Sequence, residues 1–209
     1  MRPVGNGFVW VLCIILAGPA MAATITVTTT DDEPLTTTDP GTCSLREAIQ
    51  AVIDTSLEDG CPAGSPDSAD TPDTIVFSLP TLPATITLSA ALPTIDSVDD
   101  GVTIRGPGLD SRQLTISGAN SFRVFTIGGG EAVTIEGLTI ANGRIDDGGG
   151  VLNQGNLTIK NATIANNFGT DDGGGIDNSG TLRWRTAPSP ATVLTRKAAG
   201  SSIFKTPPS

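Results

Sequence analysis

The chain of 209 residues has no histidine and no tyrosine, and aromatic residues make up only 4% of it. Without an imidazole there is no Ser-His-Asp triad, no histidine general base and no His-ligated zinc site. Positive charge is scarce as well: 12 Lys and Arg stand against 22 Asp and Glu, a net charge of -10. That sign opposes a protein that follows a phosphate backbone, so nucleic acid is not an expected partner. Cysteine occurs three times. Beyond residue 22 no apolar run approaches the ~20 residues that a membrane-spanning helix needs. What the chain does have is 25 Gly, 15 Pro and a body rich in Thr, Ile and Val, the composition of many short strands joined by tight turns. Its length bounds it to one modest domain or a piece of something larger.

Residues 1–22 carry one charge, Arg2, then an apolar run over 8–16, then Gly18, Pro19 and Ala20-Met21-Ala22. That order predicts a secretory signal peptide cut before Ala23. Gly18-Pro19 shortens the run too much for a membrane anchor. Export discards Cys13 and leaves Cys43 and Cys61, an even number in an oxidising compartment, which predicts a disulfide. The bridge would close a loop of seventeen residues, worth about 3 kcal/mol in the chain-entropy model.

The first unit, residues 23–100, opens with A-T-I-T-V-T-T-T, in which Ile25 and Val27 alternate with Thr at the period of a half-buried strand. A polar loop over 31–42 follows. Leu45, Ala48, Ile49, Val52 and Ile53 then repeat at the spacing of one helix face, and Ser44 and Glu47 stand at capping-box distance. Arg46 and Glu47 are read as a solvated helix face and a cap. Shorter strand-like pieces recur over 74–79, 84–88 and 101–104.

The run C-S-L-R-E-A-I at residues 43–49 lies between an exported strand and a Cys-containing loop that leads to D-T-I-V-F. It resembles the CSLREA-type segment at the start of secreted bacterial and archaeal parallel β-helix proteins, over about residues 23–77. The resemblance implies a right-handed parallel β-helix of the pectate-lyase-like or polymorphic outer-membrane type. It also implies a surface or extracellular location and a carboxy-terminal anchoring module, which is not visible in this chain. An amphipathic helix laid across the first coil would hide an apolar interior otherwise open to water.

Residues 101–182 repeat. Val133 to Asn142 aligns with Leu157 to Asn166 at a shift of 24, and Asp146-Asp147-Gly148-Gly149-Gly150 returns as Asp171-Asp172-Gly173-Gly174-Gly175 at a shift of 25. A unit of this size cannot bury its own apolar face, so units must stack about 4.8 Å apart. The expected fold is all-β: a parallel β-helix solenoid with an amphipathic N-terminal capping helix. Residues 102–106, 114–118 and 124–128 read as earlier, weaker coils. Stacking would set Asn142 under Asn166 and Asn153 under Asn178, as amide ladders or left-handed turn positions. The Gly triplets read as turns that need positive φ or close backbone approach. Phe77, Phe122, Phe125 and Phe168 read as core.

From Arg183 onward the periodicity stops, and five bases appear without an acid. Residues 183–209 are expected to be a basic, Pro-containing disordered tail. Loss of one nucleotide after the Leu182 codon would explain it. Read back into phase, the segment can encode a further coil whose G-G-G begins at the codon for Ala198, 25 after Gly173. A second frame carrying further coils in the gene tests this. The chain would then be a truncated amino-terminal piece whose uncapped end invites self-association.

Two functions follow. A non-catalytic secreted or cell-surface scaffold, adhesin-like and touching surface glycans, is preferred. The alternative is a polysaccharide lyase or glycoside hydrolase acting on acidic glycans, with Asp146, Asp147, Asp171 and Asp172 as stacked carboxylates or as a weak Ca²⁺ site. Paired Asp before Gly is ordinary turn chemistry, so neither catalytic residues nor a cofactor is expected.

Overall fold

The computed structural model describes residues 22–35, 41–65, 71–96, 98 and 100–185, together with the backbone of 204–205. The leader up to Met21 and most of the basic tail lie outside the described residues. The chain begins with β1 (Thr24–Val27), passes through helix α1 (Leu45–Asp54), and then winds in coils of short strands. The first coil holds β2 (Asp73–Phe77) and β3 (Ala84–Thr87), and the second β4 (Val102–Arg105), β5 (Leu114–Ser117) and β6 (Phe125–Ile127). The third is β7 (Ala132–Glu136), β8 (Thr139–Ala141), β9 (Arg144–Asp147) and β10 (Val151–Asn153). The fourth is β11 (Asn156–Lys160), β12 (Thr163–Ala165), β13 (Phe168–Asp172) and β14 (Ile176–Asn178), and β15 (Thr181–Arg185) and β16 (Phe204–Lys205) lie above it, so 183–185, expected to begin a disordered tail, instead pair with β11 as part of the solenoid.

Every strand pairing is parallel, and each joins one coil to the next. A six-stranded sheet runs β1-β2-β4-β7-β11-β15, a second β3-β5-β8-β12, and a third β6-β10-β14-β16. This is a parallel β-solenoid.

The alternation of the sequence explains the stack. In the six-stranded sheet Ile25, Ile75, Ile104, Ile135 and Ile159 face one another coil by coil, each at most 1% exposed. Ile86, Ile116, Ile140 and Ile164 form the corresponding column of the second sheet. β-Branched side chains at inward positions keep few rotamers and pack well on a pleated surface. Each buries roughly 1.5–3 kcal/mol of transfer free energy. Between them the Thr residues point outward.

The three segments 102–106, 114–118 and 124–128 are not three coils. They are β4, β5 and β6, one strand for each of three faces of a single coil. That coil is longer than its successors: Val102 pairs with Val133, 31 positions on, whereas Ala132 pairs with Asn156, 24 on. The extra residues form an excursion over 106–113 that folds back on the second sheet. There Asp110 caps a short 3-10 turn (Ser111–Gln113). The hydrogen bond from the Arg112 side chain holds the Asp110 carboxyl below the ordinary carboxylate range.

Helix α1 sits over the first coil. Ser44 Oγ accepts from Glu47 N, and Glu47 Oε2 accepts from Ser44 N, so the capping box is complete. Leu45, Ala48, Ile49 and Val52 are buried, and Ile49 and Val52 line one apolar crevice with Ile75, Ile95 and Val102. A disulfide joins Cys43 at the helix start to Cys61. Gly60, at φ 74°, lies so close to the Thr42 carbonyl that a β-carbon there has no room.

Candidate functional site

The D-D-G-G-G turns stack between the third and fourth coils. Arg144 pairs with Phe168 and Ile145 with Gly169, but Asp147 pairs with Asp172, so β13 carries one extra residue. That bulge is where the repeat passes from 24 to 25. It leaves Asp147 opposite Asp172 but takes Asp146 out of register with Asp171: Asp146 instead accepts from Thr170 Oγ1 at 2.9 Å. Gly148 and Gly173 are left-handed at φ 57° and 54°. The Arg123 guanidinium straps the lower turn, donating to the carbonyls of Asp147 and Gly148 at 2.8 and 3.2 Å. Burial lowers its pKa from the ordinary Arg value, while Asp147 and Asp177 act in the opposite sense. Among the described residues no three Asp, Glu, Cys or His side chains gather as a metal-binding group. Phe77 and Phe125 are buried and Phe122 packs partly against the core. Phe168 is half-buried like Phe122 and carries the Arg144 guanidinium 5.0 Å above its ring.

The asparagines divide into two classes. Asn153 and Asn178 are buried and in register, and Asn153 Nδ2 donates to Asn178 Oδ1 at 2.5 Å. Asn153 also donates to the Thr181 carbonyl and accepts from Gly155 N, and Asn178 donates to the Gly180 carbonyl. Asn142 and Asn166 are left-handed turn residues at φ 54° and 55°. The Asn142 amide reaches down to Ser117 Oγ at 3.2 Å. The inward amide at this corner belongs to the next residue, Asn167, which accepts from Gly143 N at 2.7 Å and donates to the Ile140 carbonyl at 3.0 Å. Gly143 leaves the space that Asn167 uses.

Asn153→Ala is expected to lower unfolding free energy by about 2 kcal/mol, because the buried Asn178 Oδ1 and the part-buried Thr181 carbonyl lose their donor. Replacing Asn153 and Asn178 together by Ile should cost at least as much, because it leaves the Thr181 and Gly180 carbonyls and Gly155 N without their side-chain partners. Urea unfolding of the two variants checks this.

Two buried acid clusters at the amino-terminal end have no signal in the local sequence. Arg46 is 6% exposed rather than solvated. It grips Asp32 with two hydrogen bonds, at 3.0 and 2.7 Å, and donates to the carbonyls of Ala90 and Ala91. Asp32 in turn accepts from Ser89 N and Oγ. Asp73, 4% exposed, accepts from Ala23 N, Ser65 N and Ser65 Oγ.

On the outer face of the six-stranded sheet, Thr24, Thr74, Thr103, Thr134 and Thr158 form one column, continued by Arg183. Thr103, Thr134, Thr158 and Arg183 line a shallow groove of about 340 Å³. Beside it runs a charged column in which Glu136 is flanked by Arg105 at 2.5 Å and Lys160 at 3.9 Å, with Arg185 paired to Lys160. A similar Thr column on the second sheet, Thr85, Thr115, Thr139 and Thr163, is partly covered: Ser111 bonds to both Thr139 and Thr163. The first column therefore presents hydroxyls that the excursion does not reach. Alternation predicts outward Thr but not which face stays open, because that depends on where the 106–113 excursion lands.

No protein-family model, no curated protein and no solved structure matches this chain.

Proposed function

We propose that this protein is a non-catalytic secreted or cell-surface scaffold, adhesin-like, that contacts acidic glycans along the outer face of its six-stranded sheet. The observation that carries the reading is a local reversal of charge. In a chain of net charge -10, the two columns beside the groove hold Arg105, Lys160, Arg183 and Arg185 against Glu136 alone. A row of hydroxyls at coil spacing can share hydrogen bonds with sugar hydroxyls, and the flanking cations suit carboxylate or sulfate groups. The C-S-L-R-E-A-I segment and the leader-like first 22 residues support an extracellular setting. A scaffold is preferred to an enzyme because the repeated Asp residues lie in a bulged glycine turn on another face, where turn geometry accounts for them.

Titration calorimetry with uronate or sulfated oligosaccharides should give binding that weakens as salt rises. Thr134→Val combined with Lys160→Glu should weaken it at least about tenfold, the scale of one charged hydrogen bond. The glycan should be recovered uncut. Shortened or unsaturated products would replace this reading with a lyase or hydrolase. Equal affinity for neutral and acidic oligosaccharides would remove the role given to the charged column.

A further inference from the structure

We propose that removal of the leader between Ala22 and Ala23 completes a part-buried ion pair, in which the new α-ammonium of Ala23 is held by the buried carboxylate of Asp73 and locks β1 onto β2. The inference rests on the export reading for the cut alone. Ala23 N already lies 2.7 Å from Asp73 Oδ1. It is placed there by the strand ladder, since Thr74 N donates to the Ala23 carbonyl at 2.9 Å and Thr24 pairs with Thr74. Asp73 is 4% exposed, and its other donors are the neutral backbone N–H and hydroxyl of Ser65. Among the described residues no Lys or Arg forms an ion pair with it. A buried carboxylate held by neutral donors alone is costly, and a cation at one of those donor positions removes the imbalance.

The leader grammar places its cut at that nitrogen. Hydrolysis by the signal endopeptidase of the exporting cell adds one water across the Ala22–Ala23 peptide bond. The carbonyl carbon leaves as the Ala22 carboxylate, and the nitrogen, taking up protons, becomes an ammonium. The donor atom keeps its place and gains a full charge. A cut one residue away would displace the charge by about 3.3 Å along the strand, out of reach of Asp73. The precursor lacks the pair, so its first strand docks more weakly until the leader is gone.

The test uses the secreted chain, a chain with one extra Gly before Ala23, and Asp73→Asn. In the secreted chain the α-amino group should titrate above its ordinary value of about 7.7–8.0. Near pH 8 it should be acylated at least about tenfold more slowly than in Asp73→Asn, equivalent to one unit of pKa. Because the folded-state pKa is raised, the added stability is full below the unfolded pKa and is lost as pH rises through the folded one. The extra Gly should abolish that pH dependence with Asp73 intact, which keeps the test valid if Asp73→Asn does not fold. Amino-terminal sequencing that begins elsewhere than at Ala23 would overturn the proposal together with the leader boundary. Cleavage at Ala23 with acylation equally fast in the folded and urea-unfolded chain would overturn the ion pair alone. Neither result bears on glycan binding.

Discussion

Arg46→Ala is expected to lower the unfolding free energy by about 3–5 kcal/mol, the loss seen when one partner of a buried ion pair is removed. The Asp32 carboxylate, whose side chain is 1% exposed, would keep its bonds from Ser89 but lose both guanidinium bonds. The carbonyls of Ala90 and Ala91 would lose their donors as well. Arg46→Lys should recover part of the loss, because an ammonium keeps the charge but cannot reproduce a planar fork reaching a carboxylate and two carbonyls. Removing both charges with Arg46→Met and Asp32→Asn should cost less than Arg46→Ala alone, since no ion is left buried without a partner. Urea denaturation of the three variants measures this. A loss below about 1 kcal/mol for Arg46→Ala would mean that the pair behaves like a surface bridge.

The size of that effect follows from what Arg46 connects. It leaves the first turn of α1 and ties together the loop after β1 and the chain ahead of Leu92 and Ile95, which belong to the buried core. The helix is therefore fastened to the solenoid by an apolar face and by a polar clamp on its rim. In a solenoid each coil contacts only its neighbours, so stability is close to a sum of coil and interface terms. Loosening the cap should lower amide protection in β2 and β4 more than in β11, which stands several interfaces away.

The same locality explains what could be read in the sequence. Period-two alternation in T-I-T-V and V-T-I-E sets the inward Ile columns, and the i, i+3, i+4 pattern after Ser44 sets the helix. Both are decided by neighbours in the chain. The repeat gave the register of β7 on β11, because identical spacing puts like residues in contact. The coil containing β4, β5 and β6 reads in sequence as three coils because its three strands resemble one another and its 31-residue length hides the 24-residue period. Partners set by space rather than spacing stayed hidden. Nothing local to Asp32 distinguishes it from Asp31, yet Asp32 is the residue that Arg46 holds. Asn166 aligns with Asn142 as a turn residue, whereas the neighbouring Asn167 sends its amide inward, because Gly143 below it leaves the room. In the candidate site the hydroxyl column was implicit in the Thr content, and the charge beside it depends on register across four strands.

Removing the bridge with Cys43→Ser and Cys61→Ser together is expected to lower stability by about 3 kcal/mol, the chain-entropy value for a loop of this length. The sequence separation is 18, so the unfolded chain regains a modest loop while the folded one keeps its other contacts. Those contacts are specific: Thr28 N donates to the Cys43 carbonyl, Thr28 Oγ1 accepts from Cys43 N, and Gly64 N donates to the Ala51 carbonyl. The first two hold the helix start to the end of β1 and the third holds the loop after α1 to the helix, all without the sulfurs, so the variant should fold with the same far-ultraviolet circular dichroism and unfold at lower urea. Cys43 and Cys61 are at most 3% exposed, which shields the bridge from reductant until the cap opens. Reduction of the native protein should therefore follow cap opening and quicken in Arg46→Ala. Equal reduction rates in the two proteins would show that the cap does not guard the bridge. A loss below about 1 kcal/mol in the double serine variant would show that the loop is already as restricted in the unfolded chain as the bridge makes it.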